Sequence, residues 1–180
     1  MDNHQHHGGN YTKFFLMIAT SMLAMFFLMY THSYQILDHF YFSETRMFMT
    51  MIMGGSMVLI MLLFMLNTYK DKSENIAILV SGLLMIAGGI WLVRSQNTIT
   101  GTDYMEGMIP HHSIAILTSE RAHIKDVRVK KLADDIIKAQ RKEIMEMQWL
   151  INDIRENGEV TSEEEKAKRP VPKFEGSLNK

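Results

Sequence analysis

Apolar residues form three long runs in the first half of the chain, and each is long enough to be a membrane-spanning helix. Phe14–Tyr30 has 17 residues without a charge, Met47–Leu66 has 20 and Ile76–Val93 has 18. A hydrocarbon core of roughly 30 Å needs about 20 helical residues, and about 17 is near the lower limit. The first run can be extended by the mildly polar residues that follow it. The pattern therefore predicts a membrane region at 13–94 with three spans, at about 14–35, 47–66 and 76–93.

Positive charges near the ends of these runs predict an orientation. Lys13, Lys70 and Lys72 share one side of a three-span arrangement, and Arg46 and Arg94 share the other. Because Lys and Arg are enriched in cytoplasmic loops, this count favours a cytoplasmic N-terminus and an extracytoplasmic C-terminal part. The first run is followed by another span and not by a folded domain, so we interpret it as uncleaved. We therefore expect a protein embedded in the lipid of a bacterial inner or plasma membrane.

The second half of the chain is polar and predicts a pair of soluble helices. After a linker at 95–102, Asp103–His123 and Val127–Arg155 carry apolar residues at helical spacing. The short turn between them makes the helices antiparallel neighbours, so 103–156 is predicted to be a soluble helical pair. Residues 157–180 form a charged tail with too few apolar residues to pack, and 1–12 form a His-containing tail. No alternation typical of strands is apparent, so we predict an all-α fold.

Two polar residues interrupt the buried stripe of the second helix. Gln140 and Glu143 lie within this otherwise apolar stripe, while Arg141 lies on the wet side. Burying an amide and a carboxylate is costly without hydrogen-bond partners. On the first helix, periodicity turns Ser113 away from the core and places His112 within an apolar face, whose other members are Tyr104, Met108, Ala115, Ser119 and Ala122.

Counting outward from the turn brings these polar residues level with histidines and methionines. His111 and His112 lie level with about 138–140, and residues 105–108 lie level with about 143–147. Imidazole binds Cu(I) and Cu(II), and thioethers favour Cu(I), whereas zinc is more often held by Cys or carboxylates together with His. The convergence therefore predicts a copper site. Glu143, and more weakly Gln140, would bind the metal or orient a ligand imidazole.

Composition narrows the chemistry further. The 180 residues include 17 methionines and 8 histidines but no cysteine, which excludes disulfides, thiolate metal sites and cysteine nucleophiles. A net charge of −1 gives no electrostatic case for nucleic acid as a partner. No nucleotide-binding loop or catalytic nucleophile is apparent, so we do not predict an enzyme, although copper oxidation chemistry stays open.

Two motifs of the helical pair resemble a known family. Tyr104-Met-Glu-Gly-Met-Ile-Pro-His-His112, followed by Gln140-x-x-Glu-Ile-x-x-Met147, is similar to domain of unknown function 305 over about 103–154. The resemblance implies a ferritin-like helical bundle, exported or membrane-anchored, with a role in copper binding and tolerance. Carried over residue by residue, it implies metal contacts at Met105, Met108, His111, His112 and Met147. We add His123 as an auxiliary residue.

This chain departs from many members of that family, which hold two such helical pairs. One pair alone cannot bury both faces of its apolar stripe, so we expect a homodimer, or a higher oligomer, formed through the helical pair. The expected function is extracytoplasmic, membrane-anchored copper binding. It would serve copper sequestration, tolerance, or handover with a copper donor or acceptor protein.

Two other functions stay open on the sequence alone. Methionines that recur every four residues along the second span are also compatible with a copper channel: Met53, Met57, Met61 and Met65. A membrane assembly module that binds no metal is the other alternative. Five further histidines are weaker candidates for auxiliary metal ligands: His4, His6 and His7 in the N-terminal tail, and His32 and His39 after the first run.

Overall fold

The computed structural model describes residues 8–31, 34, 39 and 41–178, and the regular secondary structure in this part of the chain is entirely α-helical. The all-α fold expected from the apolar spacing is confirmed. The chain divides into two compact units, of which the first holds three helices and the second the other three. The helices are α1 (Gly8–Leu28), α2 (Glu44–Phe64), α3 (Lys72–Ser95), α4 (Gly101–Arg121), α5 (Val127–Asn157) and α6 (Glu163–Lys168).

The first unit contains three helices that are long and apolar enough to cross a membrane, namely α1, α2 and α3. The three apolar runs of the sequence lie in these helices, but the ends differ. α1 ends at Leu28, whereas the sequence predicted that the span would continue to about 35. Arg46, near the start of α2, donates a hydrogen bond of 2.7 Å to the backbone oxygen of Met29 and so binds a carbonyl group just beyond the end of α1.

Helix α2 packs against both α1 and α3. Its contact with α3 is close at Gly55, where a Cβ atom would lie 2.7 Å from the backbone oxygen of Gly82. Small residues allow two helix backbones to approach in this way. Phe14 on α1, Val58 on α2 and Ile78 on α3 belong to one buried apolar cluster. The three helices therefore share a core.

The second unit combines Tyr30–Ser43 with Ile99–Lys180 and is built around α4 and α5. Thr100 and Asp103 form a capping box at the start of α4, and the Asp126 side chain caps the start of α5. Ion pairs joining 106 to 155 and 112 to 143 show that the two helices are antiparallel. Their shared core consists of Met105, Ile109, Ile116, Ile137, Ile144, Met147 and Ile151.

The buried face of α4 is rotated from the one that periodicity predicted. Tyr104 is 56% exposed, whereas Ser113, expected to point away from the core, is fully buried. The cause is the segment that follows α1. The backbone N–H of Tyr34 donates to Ser113 Oγ at 2.6 Å, and His39 Nδ1 lies 2.8 Å from the same oxygen. Tyr34 and His39, which are distant in sequence, thus cover a polar residue of α4 that periodicity assigned to solvent.

The charged tail, which was expected not to pack, folds back against α5. After the short helix α6, Arg169 donates hydrogen bonds to the Asp153 carboxylate and to backbone oxygens at the end of α5. The backbone oxygen of Ser177 accepts a 2.9 Å hydrogen bond from Arg141. Gly176 lies so close to the α5 backbone that a Cβ atom would overlap it. The tail is therefore attached by polar and backbone contacts, which a count of apolar residues does not reveal.

Candidate metal centre

His112 on α4 and Glu143 on α5 contact each other across the helical pair. His112 Nε2 lies 2.7 Å from Glu143 Oε2, and the two side chains are 12% and 46% exposed. The polar residue of the second helix therefore meets a histidine of the first, as the sequence indicated. The register differs by about one turn, because His112 was counted as level with about 138–140.

The His112 ring is held at both nitrogens. Nδ1 lies 3.0 Å from the backbone oxygen of Met108, one turn earlier on α4. Because a carbonyl oxygen only accepts hydrogen bonds, Nδ1 donates to Met108, and a second proton lies between Nε2 and the Glu143 carboxyl group. Histidine metal ligands are commonly held in this way, with one N–H on a backbone carbonyl and the other nitrogen on the metal. The His112 ring is therefore oriented as in a metal ligand, and a cation bound at Nε2 would replace the proton that Nε2 shares with Glu143.

Three methionines lie within two helical turns of this pair. Met108 precedes His112 by one turn, Met147 follows Glu143 by one turn, and Met105 precedes His112 by two turns. Met105 and Met147 are buried in the core shared by α4 and α5, and Met108 packs against that core. The helical pair thus combines an imidazole, a carboxylate and thioethers in one region.

The other residues predicted for this site are not brought to the pair. His111 is exposed on α4, Gln140 is half-buried on α5, and His123 is exposed beyond the end of α4. Among the described residues, no three His, Asp or Glu side chains lie close enough together to hold a metal ion. A site formed by His112 and Glu143 therefore needs either the thioethers or donors beyond the described residues of this chain.

The weaker histidine candidates give no second cluster in the described part of the chain. His4, His6, His7 and His32 lie outside the described residues. His39 is buried, and its Nδ1 is engaged with Ser113 Oγ. His39 therefore helps to cover Ser113 on α4.

The methionines considered for a channel occupy different environments within the first unit. Met57, Met61 and Met65 pack against the buried cluster shared by α1, α2 and α3. Met53 is exposed. Three of the four side chains thus fill space against the helical core, and the channel stays a prediction without a geometric argument in its favour.

A polar cluster that sequence reasoning missed joins α4, α5 and the segment after α1. The Tyr34 hydroxyl and Arg141 Nη2 both donate to Glu120 Oε1, each at 3.0 Å. The Arg141 guanidinium also lies over the Tyr34 ring, 5.7 Å from its centroid. Burial, and then the neighbouring Glu120 carboxylate, raises the pKa of Tyr34. Arg141 was expected on the wet side of α5, and its contacts with Tyr34 and with Ser177 of the tail are consistent with its low exposure of 14%.

Comparison with known proteins assigns the second half of the chain to a family. The family described as Domain of unknown function (DUF305) matches residues 101–177. The chain belongs to this family. The match includes α4, α5 and most of the folded-back tail, so it is longer than the stretch of about 103–154 whose motifs suggested it.

A viral protein is similar to a larger part of the chain. Uncharacterized protein L153 of Acanthamoeba polyphaga mimivirus is 32% identical over 108 residues, which cover 59% of this chain and 69% of the viral protein. Because 108 residues exceed the 80 that lie between Gly101 and Lys180, the similarity also includes residues before the DUF305 match. The name of the viral protein specifies no ligand or activity. No solved structure matches the chain.

Proposed function

We propose that this chain is an integral membrane protein that presents a copper-binding helical pair outside the cytoplasm. Large apolar side chains on α1, α2 and α3 are exposed, as contact with lipid tails requires; examples are Leu16, Leu63 and Leu84. At one end of this unit, the rings of Tyr11 and Tyr69 lie 4.8 Å apart, near Lys13 and Lys70 in sequence. Tyr and Lys at the ends of spans are typical of the interface between a membrane and water.

The path of the chain supports a crossing by α2 and α3 together. Tyr34 and His39 precede α2, yet they bond to Ser113, which follows α3. In the proposed topology, the residues before α2 and those after α3 share one side of the membrane, which two crossings achieve. The remaining span, α1, then places the N-terminus on the opposite side. Lysines on that side favour the cytoplasm for the N-terminus.

The copper proposal rests on one observation, the orientation of His112. Its Nδ1 is held by the Met108 carbonyl, and its Nε2 faces the Glu143 carboxylate. An imidazole combined with nearby thioethers suits copper, and Cu(I) in particular. Met105, Met108 and Met147 are the thioethers within two turns, and Glu143 provides a negative charge for the cation. Such soft-donor binding fits sequestration of copper or its handover to another protein, and we propose no catalytic role.

The test uses the full chain in detergent, because a fragment that begins at 95 lacks Tyr34 and His39. The parent carries Ala at the three histidines of the N-terminal tail, since a His-rich tail binds copper loosely by itself. Glu143→Gln should weaken Cu(I) binding about 10–100-fold in competition with a chelator. His112→Ala should remove binding at this site.

The matched control is His123→Ala, which removes an exposed histidine beyond the end of α4. It should bind as much copper as the parent, with the same affinity. If His112→Ala also retains the copper content and affinity of the parent, the proposed site does not exist.

A further inference from the structure

One side of the helical pair is left uncovered in a single chain. Tyr104, Thr118 and Ala122 on α4 are exposed, and so are Val129 and Leu132 on α5. Near the turn this side forms a groove of about 210 Å³ between the two helices. We call this side the open face. The apolar spacing of α4 predicted that this side would be buried, so its composition is that of a surface with a partner.

The open face also carries groups of the proposed metal centre. Glu143 lies seven residues after Ile136, which lines the groove, so helical geometry places both on the same side of α5. His111 lies seven residues after Tyr104, and it is the central residue of α4. Within the described part of one chain, His112 and Glu143 have no third His, Asp or Glu close enough to complete a site.

The two ends of the helical pair carry opposite charge. Near the turn, residues 121–131 have a net charge of +4 with His neutral, from Arg121, Lys125, Arg128, Lys130 and Lys131 against Asp126. At the other end, residues 101–108 and 146–157 together have a net charge of −4, from Asp103, Glu106, Glu146, Asp153 and Glu156 against Arg155, and Arg169 of the tail, which pairs with Asp153, reduces it to −3. Two copies in parallel would bring like charges together at both ends, whereas antiparallel copies bring opposite charges together.

We propose that a second copy of this chain covers the open face in antiparallel orientation and completes the metal centre. Two helical pairs related by a two-fold axis form a four-helix bundle. If the axis passes near the middle of α4, it brings His111 of each copy towards the His112–Glu143 pair of the other. Each of two equivalent sites then contains His112 and Glu143 from one chain and His111 from its partner. The shared site rests on the copper proposal, whereas the dimer does not.

The absence of cysteine from the chain allows the orientation to be tested by cross-linking in native membranes. Full-length chains with Tyr104→Cys and chains with Thr118→Cys are co-expressed and treated with a short bismaleimide. These positions lie seven residues on either side of His111, so antiparallel copies place them together. The mixed sample should give a strong dimer band, and Thr118→Cys alone should not.

Lys138→Cys provides the control, because it is exposed on α5 but turned away from the open face. It should give no dimer band. No dimer in the mixed sample, or Thr118→Cys linked to itself as strongly as to Tyr104→Cys, overturns the antiparallel dimer. Cross-linking of Thr118→Cys to a different membrane protein in place of a second copy also overturns it.

Complementation between two defective copies tests the shared site. In the parent without N-terminal histidines, His111→Ala and His112→Ala each remove a ligand from both sites of a homodimer. Each variant alone should therefore lose copper. A heterodimer of the two regains one complete site, so a random equal mixture should hold about one quarter of the parent's copper. A mixture that binds no more copper than either variant alone overturns the shared site.

These experiments separate the possible failures. If the mixed sample gives a dimer band but the parent binds no copper, the dimer is supported and the copper proposal is refuted. If His112→Ala loses copper but His111→Ala retains all of it, the shared site is refuted and the copper proposal is not.

Discussion

Arg141 provides a direct test of what holds the second unit together. Its guanidinium donates to Glu120 Oε1 at 3.0 Å and to the backbone oxygen of Ser177 at 2.9 Å, and it covers the Tyr34 ring. It therefore joins α5 to α4, to the tail and to the segment after α1. We predict that Arg141→Met destabilises the unit, because Met retains an apolar stem but removes the charge and the hydrogen bonds to Glu120 and Ser177.

The expected loss follows from these contacts. Hydrogen bonds that involve a charged group contribute about 1.5–3 kcal/mol each, and an exposed cation–π contact contributes about 0.5–1 kcal/mol. Arg141 and Glu120 are 14% and 33% exposed, so solvent screens their interaction in part. The lower end of each range is therefore appropriate, and the free energy of unfolding should fall by about 3–4 kcal/mol. In a unit of this size, Tm should fall by roughly 10 °C or more.

Fluorescence of Trp149 on α5 can follow this transition. The other tryptophan of the chain, Trp91, is replaced by Phe in the parent, and the full chain is heated in detergent. Lys142→Met is the matched control, because Lys142 is exposed and pairs with Glu146 at 3.5 Å on the same helix. Such pairs contribute about 0.3–0.5 kcal/mol. Equal Tm values for Arg141→Met and Lys142→Met would refute the assigned role of Arg141.

Alkaline pH should weaken the second unit, because folding raises the pKa of Tyr34 above its usual 10.0. The stabilisation that results is complete below pH 10, and it is lost as the pH rises through the pKa of Tyr34 in the folded protein. Tm measured against pH should therefore fall less steeply in Tyr34→Phe. The Arg128 side chain and backbone N–H groups lower the pKa of Asp126 to about 2, so its stabilisation is present above pH 4 and disappears as pH falls towards 2. Circular dichroism should show a smaller acid loss of helix in Asp126→Asn, and an unchanged acid profile would contradict this. Gly55→Ala should destabilise the α1–α3 unit by about 1–3 kcal/mol, since its Cβ would meet a backbone oxygen of α3. Gly88→Ala meets nothing within 4 Å, so equal resistance of the two variants to denaturing detergent would refute the close approach.

Local spacing in the sequence was enough to predict α1 to α5 and the meeting of Glu143 with a histidine, but not the short helix α6 in the tail. The shifted register has a specific cause. α4 ends at Arg121, and Ala122 leaves it in an extended conformation, so α5 begins beyond the end of α4. Counting outward from a tight turn therefore pairs each residue of α4 with a residue about one turn too close to the start of α5, as it did for His112. The first part of α5, including Leu132, remains exposed.

The contacts that the sequence did not reveal join segments distant along the chain. Ser113 is a polar residue on a flank of α4 that apolar periodicity assigns to solvent, and its burial depends on Tyr34 and His39. The tail likewise contains few apolar residues, and it is attached through Arg169 and Ser177. Hydrogen bonds between distant segments leave no periodic pattern, so neither arrangement could be predicted.

The separation of Tyr34 from Ser113 has a consequence for biogenesis. Tyr34 is synthesised 79 residues before the serine to which it bonds, and the helices α2 and α3 are made between them. In the proposed topology, Tyr34 is outside the cytoplasm before Ser113 is, and it can bond to Ser113 only after both of these helices have been inserted. A chain in which only one of them inserts would strand Tyr34 and Ser113 in different compartments. In the proposed topology, the second unit would therefore fold completely only in chains whose helices α2 and α3 have both been inserted.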